Sequence, residues 1–329
     1  MRFKRFDRFF ETGCVALYLT LSLGGPVVPS VRGAEIERIK MARPSLSMNF
    51  MQPLLARKAA IDRQEGIWAD VVQMQTPVAI AALIAGDVDY TLAFESSVNA
   101  VLKGAPIIGI EIYQIKLPQV IVARPEIRSF ADLKGKSAAV PDMSSSGLNG
   151  FRQILRSYGL NDKDYNMVVV GSEPNRLTSL VTGRLQFTWF SPPFHMTALK
   201  AGMKPLSSPK DFVKSPNGIA TSLKKIKENK EQVRKLLRVF LQTNRWIKSH
   251  PDETIDFLMS QYKLDKDTAA SSYDLYIPTL SDNGQIEDEY IQEIIDRWSR
   301  QTGSAATLPL DRVRDFSVVK EVAGELGVR

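Results

Sequence analysis

The sequence predicts an α/β protein made of two lobes, and two observations carry this prediction. Segments typical of strands and of helices alternate, with short connections, over residues 36–113. A second series of the same kind occupies residues 130–206. Such alternation is the pattern of right-handed βαβ units on a parallel sheet. The chain of 329 residues is long enough to form a hydrophobic core in each lobe.

The first series contains four predicted strands. Thr76 and Pro77 have the residue types of a helix N-cap and first helical position, and Gly86 ends that helix. Residues 106–113 are apolar and rich in β-branched side chains, which is typical of a strand buried on both faces. The predicted strands are residues 36–42, 67–74, 88–93 and 106–113, and the predicted helices are residues 53–63, 78–85 and 94–103.

The second series follows an extended segment at residues 117–123. Its predicted strands are residues 136–140, 166–170, 185–190 and 204–206, and its predicted helices are residues 147–158, 174–182 and 192–201. From residue 226 onward the chain is mainly helical. Apolar residues from Leu236 to Ile247 recur at the spacing of one amphipathic helix face. Residues 251–262 and 286–300 are predicted to form two further helices.

Composition and charge exclude several classes of protein. The chain is 44% hydrophobic and 24% charged, with a mean hydropathy of −0.14, as in globular proteins. Residues 1–33 hold five of the 43 basic and two of the 36 acidic side chains, so the net charge falls from +7 to +4 without them. Such a small excess does not indicate a nucleic-acid-binding protein. Cys14 is the single cysteine and the two histidines are 55 residues apart, so the sequence predicts no metal site and no cofactor.

The N-terminus predicts export. Residues 1–10 are basic and aromatic, and residues 14–23 form an apolar run about half as long as a membrane-spanning helix. The run ends at Gly24-Gly25-Pro26, and small residues precede Ala34. These features are typical of a cleavable signal peptide over residues 1–33, with cleavage after Gly33 and a periplasmic product. An uncleaved signal anchor is the alternative.

Six short segments, taken in order, resemble one family. They are residues 65–71 (EGIWADV), 82–89 (ALIAGDVD), 117–127 (LPQVIVARPEI), 132–136 (DLKGK), 175–183 (NRLTSLVTG) and 191–202 (SPPFHMTALKAG). The ordered set is similar to the substrate-binding proteins of ABC importers, in the branch of the nitrate-, sulfonate- and taurine-binding (SsuA) proteins and the NMT1/THI5-like pyrimidine-precursor proteins. The resemblance covers residues 36–316, which is nearly the whole chain after the signal peptide.

The resemblance implies a type II periplasmic binding protein fold. Two α/β lobes are then joined by two hinge crossovers and close on a ligand in the cleft between them. Lobe 1 is expected to contain residues 34–122 and 218–329, with the C-terminal helices packed on it, and lobe 2 residues 123–217. The expected partners are a small ligand and an ABC importer permease in the inner membrane, and the protein is expected to be a monomer.

In an open α/β sheet, ligands bind beyond the carboxyl ends of the strands, where helices begin. The predicted helix starts of lobe 1 carry polar and aromatic side chains, for which simple helix capping is the alternative interpretation. Glu95 is a candidate partner for a cationic or amine-bearing ligand, or an acid placed to suit the helix dipole. The candidates in lobe 1 are Ser45, Ser47, Asn49, Thr76, Phe94, Glu95 and Ser96.

Lobe 2 offers a serine-rich turn and an aromatic wall. The serines supply donors at a helix start, and the aromatic faces suit a flat ligand. A surface turn and ordinary core packing are the alternatives. Arg176 is a possible counter-ion for an anion, although pairing within the protein is favoured. The candidates are Met143, Ser144, Ser145, Ser146, Trp189, Ser191, Pro192 and Phe194.

The favoured hypothesis is a binding protein and not an enzyme. It captures a small polar, anionic or heteroaromatic molecule between the lobes, and closure follows from the higher affinity of the shut form. One alternative is a ligand-sensing domain for a membrane kinase. Another is a pyrimidine synthase like some THI5-like relatives, which use a cysteine-rich iron site that this chain lacks after residue 33.

Overall fold

The strands of the protein form two main sheets, one in each lobe. A computed structural model describes residues 36–208, 212–213, 215–303 and 308–328. The predicted signal peptide, residues 1–33, lies outside the described residues. The strands are β1 (Glu37–Arg43), β2 (Ile67–Gln73), β3 (Tyr90–Thr91), β4 (Ile107–Gln114), β5 (Leu117–Pro118), β6 (Val120–Ala123), β7 (Ser137–Val140), β8 (Asn166–Val169), β9 (Phe187–Phe190), β10 (Lys204–Pro205), β11 (Phe212–Val213) and β12 (Asn217–Ser222).

The helices connect these strands and then extend the first lobe. They are α1 (Gln52–Lys58), α2 (Ile61–Gln64), α3 (Thr76–Ala85), α4 (Phe94–Leu102), α5 (Ser146–Ser157), α6 (Glu173–Val181), α7 (Phe194–Lys200), α8 (Leu223–Glu228), α9 (Lys230–Ser249), α10 (Pro251–Tyr262), α11 (Lys266–Tyr276), α12 (Asp288–Thr302) and α13 (Ser317–Glu325). Within the described residues, no helix is both long enough and apolar enough to cross a membrane.

The sheet of lobe 1 has the strand order β2-β1-β3-β12-β4. β1 pairs in parallel with β2 and β3, as the βαβ pattern predicts. β12 pairs antiparallel with both β3 and β4, so the prediction of a purely parallel sheet is wrong. β12 is the strand that returns from lobe 2, and it enters the middle of the sheet from the opposite direction to its neighbours.

The sheet of lobe 2 has the order β10-β6-β9-β7-β8 and repeats this design. β7 is parallel to β8 and β9, whereas β6 is antiparallel to β9 and β10. β6 is the first strand after the chain leaves lobe 1. In each lobe, therefore, the antiparallel strand inside the sheet is the one that follows a crossover.

Two short strands, β5 and β11, pair with each other where the chain passes between the lobes. β6 belongs wholly to the second sheet, so the first crossover precedes Val120. The sequence-based boundary between residues 122 and 123 would divide β6 and is corrected accordingly. β12, which starts at Asn217, already belongs to the first sheet, so the second boundary shifts by one residue.

Several helices differ from their predicted bounds. The segment predicted as one helix over residues 53–63 is two helices, because Ala60 adopts a left-handed conformation with φ of 59° between α1 and α2. The N-cap of α3 is Gln75, and Thr76 is its first helical residue, so Thr76 is not the cap. α11 and α13 were not predicted, although α13 buries Val318, Val319 and Val322 on one face.

The C-terminal helices pack on lobe 1, as the resemblance implied. Trp298 of α12 and Val319 of α13 belong to the same buried cluster as Ile110 of β4 and Phe240 of α9. Lobe 2 has its own cores, one around Phe151 and Phe187 on one side of its sheet. Each lobe is thus stabilised by its own apolar core, and the polar region between the lobes can form a site.

Candidate functional site

A cavity of about 70 Å³ lies between the two lobes. A cavity needs roughly 10–15 Å³ of such space to hold one water molecule, so this cavity is large enough for a small solute. The residues that line it come from both lobes and from the first crossover. They are Pro44, Ser45, Ser47, Asn49, Phe50, Gln73, Gln75, Thr76, Ala93, Ser96, Leu117, Gln119, Pro141, Asp142, Ser145, Ser146, Gly147, Gly171, Ser172, Glu173, Arg176, Trp189 and Ser191.

The sheet topology explains why these residues meet. Most of them lie just after the carboxyl ends of β1, β2, β3, β7, β8 and β9, where the chain turns into a helix. Parallel strands deliver such turns to the same edge of a sheet, and the helices that start there direct free backbone N–H groups toward the space beyond it. The two lobes place these edges face to face.

The lobes contact each other directly around the cavity. Ser45 Oγ donates to Glu173 Oε1 across the cleft at 2.7 Å. Ser96 Oγ donates to the carbonyl oxygen of Ser144 at 3.0 Å. The backbone N–H of Met48 donates to the carbonyl oxygen of Pro192 at 3.2 Å. These bonds describe a closed arrangement of the two lobes.

Glu95 forms a second link between the lobes. Its Oε1 accepts a hydrogen bond from Asn149 Nδ2 of α5 at 2.9 Å and an ion pair from Arg297 Nη1 of α12 at 2.7 Å. Ser215 Oγ donates to its other oxygen. Burial raises the pKa of Glu95, and Arg297, Ser215 and Asn149 oppose that rise. The carboxylate is therefore occupied by protein groups outside the cavity, which contradicts its predicted role as a ligand partner.

Arg176 forms part of the lobe 2 wall. Its Nη1 donates to Thr188 Oγ1 at 3.0 Å and to the carbonyl oxygen of Trp189 at 2.6 Å. Its Nη2 lies 3.6 Å from Glu173 Oε1. Burial lowers the pKa of the guanidinium, and Glu173 and Asp142 oppose this effect. Arg176 is 1% exposed, and its contacts stabilise the positions of Glu173 and of the end of β9.

The structure brings nine of the predicted site residues together at the cavity. They are Ser45, Ser47, Asn49, Thr76, Ser96, Ser145, Ser146, Trp189 and Ser191. Ser145 also caps α5, because its Oγ accepts a hydrogen bond from the backbone N–H of Leu148. The role of these residues in ligand binding stays a prediction.

Six predicted residues do not line the cavity. Phe94 is buried in the lobe 1 core, with its ring centroid 6.4 Å from that of Phe316. Phe194 packs against the lobe 2 cluster that contains Phe190. The others are Glu95, as described, Met143 and Ser144, which border a separate crevice, and Pro192, whose carbonyl oxygen bonds Met48. Aromatic and polar residues near helix starts therefore lie either at the cavity or in the core, and tertiary packing determines the location of each one.

Sequence reasoning missed several residues of the cavity. Glu173 opens α6 and Asp142 lies in the turn four residues before α5, so the rule that placed the serines there would also have found these acids. Gln119 lies in the crossover, where no sequence pattern indicated a site. Gln73 and Gln75 flank the end of β2 and the start of α3.

Two α/β lobes, two crossovers and a polar cavity between them define the periplasmic binding protein fold. Solved structures of this fold are similar to the chain. The alkanesulfonate-binding protein SsuA from Xanthomonas axonopodis pv. citri, bound to MOPS, matches with a TM-score of 0.70 and 16% identity, over 88% of this chain and 98% of that one. The desulfurization enzyme DSZB matches with a TM-score of 0.65 and 13% identity, over 88% and 99% of the two chains. The fold thus serves both a binding protein and an enzyme.

A profile described as NMT1/THI5 like matches residues 49–254, well over half of the chain. The protein therefore belongs to the NMT1/THI5-like family, and the resemblance recognised in the sequence is confirmed. A curated relative from Brucella abortus (strain 2308), named as a binding protein, is 23% identical over 257 residues, which is 76% of this chain and 79% of the relative.

Proposed function

We propose that the protein is an extracytoplasmic solute-binding protein that captures a small polar molecule between its lobes and delivers it to an ABC importer permease. The observation that carries this proposal is the cavity, whose walls come from both lobes and whose rim contains direct bonds between them. A solute held there touches both lobes only when they are closed. It therefore binds the closed state more tightly and shifts the population toward that state.

The inter-lobe bonds support a hinge mechanism. Opening the cleft would break the bonds from Ser45 to Glu173 and from Ser96 to Ser144, both of which are partly buried. A neutral bond of this kind contributes about 1 kcal/mol and a bond to a carboxylate about 1.5–3 kcal/mol, so these two bonds favour closure without making it irreversible. The lobes are joined by the short strands β5 and β11, which is compatible with rotation about the crossovers.

The walls of the cavity favour recognition over catalysis. Ser145 Oγ is engaged in capping α5, and Ser96 Oγ is engaged with the carbonyl oxygen of Ser144. A nucleophilic serine needs a base within hydrogen-bond reach, and these two hydroxyls have none among their described partners. Ser45 does donate to the carboxylate of Glu173, and mass spectrometry of the solute tests whether this pair converts a bound solute. The relative from Brucella abortus carries the name of a binding protein, which supports the same assignment.

Binding is tested by thermal-shift screening and by calorimetry with sulfonates, nitrate, pyrimidines, aromatic carboxylates and amines. A solute that binds only the native state raises its melting temperature by mass action. Ser145→Trp places an indole in the cavity and is expected to abolish the shift while leaving the circular dichroism spectrum unchanged. Ser157→Trp, at an exposed position on the same helix, is the matched control and is expected to retain binding.

Two further measurements separate this proposal from its alternatives. Mass spectrometry of the solute before and after incubation distinguishes capture from chemical conversion, and a converted solute would refute the binding role. Deletion of the gene is expected to abolish uptake of the solute; retained uptake together with a lost transcriptional response would indicate a sensor instead. The periplasmic protein is expected to begin at Ala34, which N-terminal sequencing checks.

A further inference from the structure

The charged groups that line the cavity all belong to lobe 2. They are the two carboxylates of Asp142 and Glu173 and the guanidinium of Arg176. The lobe 1 wall and the crossover contribute polar side chains without charge, which are Ser45, Ser47, Asn49, Gln73, Gln75, Thr76, Ser96 and Gln119. With both carboxylates ionised, the lining side chains carry a net charge of −1.

The guanidinium of Arg176 is directed mainly at groups of the protein. Its Nη1 is engaged by Thr188 and by the carbonyl oxygen of Trp189, and its Nη2 faces Glu173. The guanidinium carbon lies 4.6 Å from the centroid of the Trp189 ring. A guanidinium frequently binds an anion through two parallel N–H groups directed at the ligand. Here both hydrogen bonds of Nη1 go to the protein and the side chain is 1% exposed, although Nε has no partner among the described residues.

Three acceptor atoms of cavity-lining side chains, Gln119 Oε1, Glu173 Oε2 and Asp142 Oδ2, receive no hydrogen bond from the described residues. Gln119 Nε2 donates to the carbonyl oxygen of Gly147 at 3.2 Å, and its Oε1 is buried without a donor in the described part of the chain. Glu173 accepts from Ser45 through Oε1, and Asp142 accepts from Ser144 through Oδ1. Among the described residues, no hydrogen bond is donated to Glu173 Oε2 or Asp142 Oδ2. Gln119 Oε1 is the buried atom of the three, and a buried acceptor without a donor favours a solute that brings an N–H or O–H group.

One helix start of lobe 2 at the cavity has its own anion, because α6 begins at Glu173. α5 has no acid in its first turn, but Asp142 lies four residues before its start. A carboxylate at a helix N-terminus interacts favourably with the partial positive charge there. An anionic solute at either helix start would lie beside one of these carboxylates in a closed space, and unpaired like charges repel strongly there.

We propose that the solute carries a protonated amino group, which binds Glu173 and Asp142 with Gln119 Oε1 as a third acceptor, and that solutes whose only charged group is an oxyanion are rejected. This rests on the proposed solute-binding function and specifies its ligand class. From the sequence, Glu95 was a candidate partner for an amine-bearing ligand, with placement for the helix dipole as the alternative. In the structure that residue binds Arg297 instead, and the acids that line the cavity are Asp142 and Glu173.

The test uses four probes that share a propyl chain: propylamine, propane-1-sulfonate, 1-propanol and 3-aminopropane-1-sulfonate. Calorimetry on the wild-type protein is expected to show at least tenfold tighter binding of the two amino probes than of propane-1-sulfonate. Glu173→Gln keeps the shape of the side chain and an acceptor for Ser45, and it is expected to weaken the amino probes at least tenfold. Glu126→Gln, an exposed acid of lobe 2, is the control for net charge.

Binding of propane-1-sulfonate as tightly as propylamine would overturn the proposal and leave the solute-binding function intact. An unchanged preference in Glu173→Gln, with the variant folded by circular dichroism, would also overturn it. If none of the four probes binds, the protein is incubated with a bacterial metabolite extract, and the retained solute is identified by mass spectrometry. A retained solute with a basic nitrogen supports the proposal, and one without it overturns the proposal alone. The absence of any retained solute overturns the binding function as well.

Discussion

The buried carboxyl group of Glu111 makes the stability of the protein depend on pH in a measurable way. Glu111 lies on β4 in the core of lobe 1 and is 0% exposed. Within the described part of the chain, neither of its oxygens has a hydrogen-bond partner. Burial therefore raises the pKa of Glu111 well above its usual value. The native protein holds the proton at pH values where the unfolded chain has lost it.

The size of the effect follows from one proton. Between the pKa of the unfolded chain and that of the native protein, the native state binds about one proton more at this site. The free energy of unfolding then falls by about 1.4 kcal/mol for each unit by which pH rises. Because the folded pKa is raised, the stabilising contribution of Glu111 is complete below the unfolded pKa and is lost as pH rises through the folded pKa.

The assay compares the wild-type protein with Glu111→Gln, which has nearly the same shape and no ionisable group. Urea unfolding, followed by circular dichroism, is measured at pH 5.5, 6.5 and 7.5 at constant ionic strength. The variant is expected to gain stability over the wild type by about 1.4 kcal/mol per pH unit while the native carboxyl stays protonated. Other titrating groups cancel in this difference.

Glu289→Gln, an exposed acid at the start of α12, is the control and is expected to leave the pH profile unchanged. Parallel profiles for the wild type and Glu111→Gln would refute the reasoning. They would mean that the native carboxyl of Glu111 ionises as freely as that of the unfolded chain.

Three further predictions follow from other buried positions. Burial lowers the pKa of His195 to about 4, so stability is lost as pH falls below about 6.5, and His195→Gln should recover about 2 kcal/mol at pH 5 in urea unfolding. Asn149→Ala removes the inter-lobe bond to Glu95 and should increase the radius of gyration in small-angle X-ray scattering; an unchanged radius would contradict this role. Gly284→Ala combines a φ of 76° with a Cβ 2.4 Å from Val319 Cγ2, so it should cost about 2–4 kcal/mol by urea unfolding. Gly159→Ala, at a similar φ with open space around it, should cost about 1–2 kcal/mol, and equal losses would contradict the packing argument.

The local pattern of the sequence predicted most elements of the fold but not the direction of every strand. Residues 251–262 were predicted as a helix with the bounds that α10 has, because Pro251 and the acids after it form a clear helix start. β12 was not predicted, and its antiparallel place between β3 and β4 is set by pairing with strands more than 100 residues away. Nothing in residues 217–222 alone specifies that partner, because strand pairing depends on tertiary contacts.

Nine of the fifteen predicted site residues line the cavity because one physical rule predicts the location of a residue from its position in the sequence. Turns between a strand and a helix gather at one edge of a sheet, so the polar residues in them lie near one another. The rule does not say which way a side chain points. Glu95 and Ser96 are neighbours at the start of α4, yet Ser96 lines the cavity and Glu95 turns to Arg297.

The sequence by itself determined that the protein is α/β, that it has two lobes and that it belongs to its family, because these properties follow from local periodicity and from ordered short motifs. Only the tertiary structure decided which acids face the cavity and which are neutralised inside the protein. Glu173 and Asp142 became part of the cleft, whereas Glu95 was paired with Arg297, which lies 202 residues further along the chain. The net charge of a site is the sum of charges that folding brings together from distant positions in the sequence. A local sequence pattern therefore does not predict it.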